Sequence, residues 1–130
     1  MILSILTPMS HFFEEEIKSV ALQTVDGRIV IMPRYTPYVT GLVNGVAKIE
    51  TASGETKHVA CMKGFVEVTD NKVTILTDDA HWPDDIDEKR AIEAKERANA
   101  RLKETQDIDR ARALDALTRA EIRLKLQEYK

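Results

Sequence analysis

Residues 84–130 hold no glycine and no proline. They are dense in Ala, Glu, Lys and Arg, so helix-forming side chains run on with nothing to interrupt them. Apolar residues recur at helical spacing. Ala91, Ala94, Ala98 and Leu102 form one stripe, and Leu114, Leu117, Ala120 (or Glu121) and Leu124 form a second. Thr105-Gln106-Asp107 is a short polar break between them, which predicts two antiparallel helices in a hairpin. Helix one is expected over 86–104, capped by Asp84 or Asp85, with Asp87 and Glu88 in its first turn. Helix two is expected from near Asp107 towards Tyr129. Glu93–Arg97, Asp115–Arg119 and Glu121–Lys125 place acid before base at i,i+4, and each pair adds about 0.2–0.5 kcal/mol.

The rest of the chain, residues 1–83, reads as strands punctuated by turn residues. The opening 1–8 stretch lacks the basic start of a signal peptide and is expected to be a first strand. Strands are expected at 17–24, 28–32 and 39–43, with a loop at 33–37 carrying Pro33 and Pro37. One hairpin is expected to join 45–51 to 56–62. A second joins 65–69 to 72–77 through Asp70-Asn71, with Val66 and Val68 on the face of Val73 and Ile75. Phe12-Phe13 followed by Glu14-Glu15-Glu16 is expected to be a strand end entering a solvated acidic turn rather than a metal site. Pro83 ends the last strand, and Trp82 is expected to pack where the two parts meet. The fold class is therefore α+β: an N-terminal antiparallel β-sandwich platform over 1–83, then an antiparallel two-helix hairpin over 84–130.

Composition narrows the function. A net charge of −3 argues against non-specific nucleic-acid binding. No apolar run reaches the roughly 18–20 residues of a membrane span. Cys61 alone forms no internal disulfide, sits among apolar residues and is expected to be a buried structural thiol in a reducing cytoplasm. His11, His58 and His81 are scattered without metal-ligand spacing, Ser4, Ser10, Ser19 and Ser53 sit in no nucleophile motif, and no glycine-rich phosphate loop is present. An enzyme and a metal site are not expected.

Two features of the hairpin bear on function. Its seam is largely alanine on helix one, where each buried methyl contributes only about 0.8 kcal/mol. Its connector is free of Gly and Pro, so the hairpin can either stay closed or open into one helix reaching on the order of 65 Å. Arg90 lies roughly level with Arg123, and Arg119 is one turn from Arg123, a like-charge pair that destabilises unless an anion or carboxylate answers it. Together with the amide groups at the start of helix one they form a place for a phosphate. A solvated face with Asp87 pairing Arg90 remains the other reading.

The chain resembles the epsilon subunit of bacterial F-type ATP synthase. The resemblance rests on Gly64-Phe65-Val66-Glu67-Val68, Lys72-Val73-Thr74-Ile75-Leu76-Thr77, Asp85-Ile86-Asp87-Glu88-Lys89-Arg90-Ala91, Ala94-Lys95-Glu96-Arg97-Ala98 and the stretch from Leu117 to Leu124. It implies a non-catalytic central-stalk subunit coupling proton or sodium translocation to ATP synthesis. Implied partners are the gamma subunit, the rotor c-ring and the alpha/beta catalytic hexamer, at the cytoplasmic face of the bacterial membrane and peripheral to it. The hairpin would restrain ATP hydrolysis by extending, and regulatory ATP, with or without Mg²⁺, would favour its folded form. The family's I/L-D-x-x-R-A nucleotide motif matches Ile86, Asp87, Arg90 and Ala91, and its supporting arginines match Arg97, Arg119 and Arg123. Ile108-Asp109-Arg110-Ala111 is similar but differently placed. Rotor-ring contact falls on Arg28 and Tyr35. In departures from the family pattern, His81 replaces an acidic residue that assists nucleotide binding in some members. Arg28 replaces one that often faces the ring, and Met62-Lys63-Gly64 replaces S-G-G. A static coupling and assembly subunit, or a free-standing helical adaptor, are the alternatives.

Overall fold

The computed structural model describes residues 1–104 and 107–130; within the helices, the side chains of 104 and 107–109 lie outside the description. The expected Thr105-Gln106-Asp107 break therefore falls largely outside the described residues, as do the Ile108 and Asp109 side chains.

Nine strands precede two helices among the described residues. They are β1 (Ile2–Thr7), β2 (Ser10–Thr24), β3 (Gly27–Ile31), β4 (Tyr38–Leu42), β5 (Gly45–Thr51), β6 (Thr56–Cys61), β7 (Gly64–Thr69), β8 (Lys72–Thr77) and β9 (Ala80–His81). The helices are α1 (Glu88–Glu104) and α2 (Asp107–Gln127). The strands form the expected β-sandwich. Among the described residues its strand pairings are antiparallel except β1 with β8, which run parallel from Ile2↔Lys72 to Leu6↔Leu76.

The long strand β2 joins the two layers. Its first half pairs with β1 and its second half with β3 and β5. The expected acidic turn at Glu14-Glu15-Glu16 is instead the middle of this strand, and the chain does not turn there. Along this half β2 has only β1 beside it, so its outer edge is solvated, where charged side chains are what a sheet edge carries. Glu14 pairs with Lys72 (3.8 Å) and Glu16 with the N-terminal ammonium (3.4 Å).

The core between the layers is aliphatic. Leu3, Ile5, Val20, Ile31, Ile49, Val59, Val66, Val73 and Ile75 are fully buried within it. Asp70 and Asn71 both adopt positive φ (47° and 60°), the two-residue turn that matches strand twist. Val68↔Val73 and Val66↔Ile75 then share the inner face as expected. At Gly64 a Cβ would collide with the Leu76 carbonyl, so only glycine lets β7 close on β8 here. Cys61 is buried as expected, and burial pushes its thiol up to about 12.

Trp82 packs on the sandwich itself, stacked on Phe12 (4.9 Å) and edge-on to Phe13 (5.8 Å), with the Lys57 ammonium over its ring (5.6 Å). The junction with the hairpin is made elsewhere. Val46, Ala60 and Met62 bury with Ile86 and Leu126, and Ile122 packs beside them.

The start of the hairpin differs from expectation. Pro83–Asp85 form a 3-10 turn, in which the Asp85 carboxylate accepts from the Trp82 amide (3.1 Å). Ile86 then stays extended (φ −87°, ψ 123°), its side chain buried in the junction, so the helix begins only after it. Asp87, not Asp84 or Asp85, caps α1, its Oδ1 accepting from the Arg90 amide (3.2 Å). In the seam Ala91, Ala98, Ala113 and Ala120 are buried, with Ala94, Leu102, Leu117 and Leu124 half-buried. Leu114, expected in the second stripe, is 54% exposed, and Ala113 takes the inward position. The smaller residue there lets the helices approach.

Candidate functional site

Six of the residues singled out from sequence, Ile86, Asp87, Arg90, Ala91, Arg97 and Arg123, line one cavity of about 470 Å³ with His81, Asp85, Glu93 and Ala94. The extended Ile86 and the Asp87 cap turn α1 so that Arg90 and Arg97, nearly two turns apart, lie along the same wall. Arg123 reaches the cavity from α2. Arg119 lines the adjoining groove of about 380 Å³, which shares Ala94, Arg97 and Arg123 with the first. The groups do not contribute equally. Ile86 and Ala91 are buried and supply wall, while Asp87, Arg90 and Arg97 are exposed and Arg123 is half-buried.

Arg119 and Arg123 form the like-charge pair anticipated from their spacing. Burial, and then the Arg119 charge, pull the Arg123 guanidinium below its ordinary value, and Asp79 opposes them. The answering carboxylate is therefore Asp79, between β8 and β9. Its Oδ2 lies 3.9 Å from Arg119 Nη2 and 2.8 Å from His81 Nε2. Arg119 thus reaches across to the sandwich, while Asp115, its expected partner on α2, accepts from Asn44 Nδ2 (3.5 Å). His81 holds the Asp79 carboxylate in place.

Two further contacts carry no periodic signal in the sequence. Lys130 Nζ donates to the Ile86 carbonyl (2.7 Å), tying the end of α2 to the start of the hairpin. Tyr129 stacks on His58 (3.7 Å, 10° between planes). Of the first amides of α1, expected to be open to an anion, that of Arg90 is taken by Asp87. Chemically the cavity offers three guanidinium groups for an anion and the Asp85, Asp87 and Glu93 carboxylates for hydroxyl or amine donors.

Arg28 and Tyr35 do not share a cavity. Arg28, on β3, lines a cleft against the end of α2, and Tyr35 lies in the loop after β3, edge-on to Tyr38 (6.2 Å).

Models of the ATP synthase delta/epsilon chain match the chain in two parts, the beta-sandwich domain at residues 1–83 and the long alpha-helix domain at 84–128. The chain belongs to the ATP synthase delta/epsilon family. It is 40% identical over 102 residues to an ATP synthase epsilon chain of Caldicellulosiruptor bescii, covering 78% of this chain and 74% of that one. To an Acetobacterium woodii epsilon chain described as sodium ion specific it is 36% identical over 100 residues, covering 77% and 75%. Among solved structures the fold is similar to a chain in the Euglena gracilis mitochondrial ATP synthase, with a TM-score of 0.85 at 23% identity, covering 96% of this chain and 79% of that one. A Tetrahymena thermophila mitochondrial ATP synthase structure of central stalk and c-ring contains another, with a TM-score of 0.65 at 18% identity, covering 98% and 96%. For this member of the family, as an epsilon-type chain, no helix among the described residues is long and apolar enough to cross a membrane.

Proposed function

We propose that the chain is a non-catalytic central-stalk subunit whose hairpin binds ATP when folded and restrains ATP hydrolysis when extended. The observation that carries the reading is the convergence of Arg90 and Arg97 from α1 with Arg123 from α2 on one cavity. A phosphate tail held there bridges both helices and exists as a site only while the hairpin is closed. Its affinity is then added to the folded form by mass action. The cavity's 470 Å³ falls within the range of small-molecule sites, about 300–1,000 Å³. Asp87 holds the first turn of α1, and Ile86 and Ala91 give the cavity its apolar wall.

The family and the surface support a reading of the partners. Val25, Phe65 and Leu76 are 66%, 62% and 49% exposed. Phe65 pairs with Gly41 on one side and Leu76 on the other, and Val25 fills the space over Gly41. This continuous apolar row on the outer face of the sandwich is suited to the gamma subunit. Arg28 and Tyr35 are the candidates for the c-ring, and the extended hairpin would enter the alpha/beta hexamer. Such a subunit is peripheral to the cytoplasmic face of the bacterial membrane, and couples proton or sodium flow to synthesis.

The static reading has its own support in the buried Ile86–Met62–Leu126 junction, which holds the hairpin down without a ligand. Hydrolysis by the assembled synthase separates the two. Deleting residues 84–130 is expected to raise the ATPase rate, and a cysteine cross-link between Ala94 and Leu117 to relieve inhibition in the same way. If both leave the rate unaltered, the hairpin only packs.

A further inference from the structure

A second cleft, larger than the cavity described above, lies between the outer face of the sandwich and the last turns of α2, with a volume of about 640 Å³. Three cations line it from three elements, Arg28 on β3, Lys48 on β5 and Lys125 on α2. Lys48 stands directly across the ladder from His58, whose ring is stacked under Tyr129. None of the described residues lining the cleft is acidic, in a chain with 22 aspartates and glutamates against 19 lysines and arginines. The acids around it lie outside its lining. Asp115 is engaged by Asn44 at the rim, Glu50 accepts from Ser19 (3.5 Å), and Glu121 and Glu128 line an adjoining groove that Lys125 also borders.

We infer that this cleft is a second anion site, taking a phosphate-bearing ligand between Arg28 and Lys48 of the sandwich and Lys125 of the hairpin. Like charges gathered from separate elements repel one another until an anion answers them, and the answer here bridges the sandwich to α2. The source is either inorganic phosphate or the phosphate tail of a nucleotide. The site holds the hairpin against the sandwich, whereas the cavity at Arg90 and Arg123 holds its helices to each other. Binding does not depend on the proposed function; the consequence for hairpin opening rests on it. Burial and the Lys48 charge hold His58 below its ordinary pKa, which makes its ring a reporter, because a bound anion reverses that direction.

The test is a proton NMR titration of the His58 ring in the full-length chain at constant ionic strength, with orthophosphate, pyrophosphate and ATP in separate arms. A saturable shift with raised His58 pKa is expected, weakened about tenfold in Lys48→Gln and in Lys125→Gln and unchanged in Lys72→Gln, which removes a charge outside both cavities. Saturation by orthophosphate or pyrophosphate assigns the source to free phosphate, and saturation by ATP alone assigns it to a nucleotide tail. Absence of a saturable shift in all arms, or wild-type affinity in both lysine variants, overturns the site. An equal weakening in Lys72→Gln also overturns it, by tracing the effect to net charge rather than to the cleft. Bound phosphate should slow amide exchange in the last turns of α2, and unchanged exchange overturns the bridge.

Discussion

His58 is where the chain's response to pH is most easily followed. Its pKa is lowered by burial and then by Lys48, and it also faces Arg28 and Lys125 across the cleft and Tyr129 on its ring. The unfolded chain, with an ordinary histidine near about 6.5, therefore binds the proton more readily than the folded one. The stability tied to neutral His58 is fully present above that ordinary value and is lost as pH falls through the lower folded value. Without added phosphate, urea midpoints are expected to drop between neutral pH and mildly acidic pH, and His58→Gln to flatten that slope. The residues least visible in sequence are of this kind. Asp79 answers Arg119 from 40 positions away, and no period links them. Spacing revealed the arginine pair and its need for a carboxylate, while only the folded chain supplied which one.

Among the elements, legibility followed local chemistry. The β7–β8 hairpin was readable because Asp70-Asn71 can take positive φ and the valines alternate around it. Strand β2 was readable only from Ile17 onward, because three consecutive exposed glutamates in its first half erase the alternation that marks a strand. The start of α1 was ambiguous among several nearby aspartates, and burial of Ile86 at the junction decided for Asp87. The same junction sets the hairpin's hold on the sandwich. Leu126 is fully buried there, and Leu126→Ala should cost about 2–5 kcal/mol. Hydrogen exchange is the suitable probe: α2 should lose protection while β7 and β8 keep theirs. A uniform loss across the chain would mean that hairpin and sandwich open together.

For the whole molecule, sandwich and hairpin were legible as classes, since strand-like and helix-like composition change over at Pro83. The way the hairpin docks was not, because Val46, Ala60 and Met62 look like ordinary strand residues until α2 covers them. The outer face is a second property of the assembled chain. Phe65→Glu interrupts its apolar row without touching the core, so the isolated variant should melt within a few degrees of wild type yet fail to co-purify with the gamma subunit. Unimpaired co-purification would move the stalk contact to another face. Closing of the hairpin around ATP is the claim on which the rest depends, and isothermal titration of ATP into the full-length chain tests it most directly. Wild type should bind saturably, and Arg119→Ala/Arg123→Ala should lose at least about tenfold in affinity. Absence of binding at millimolar ATP, or equal affinity in the two proteins, would contradict it.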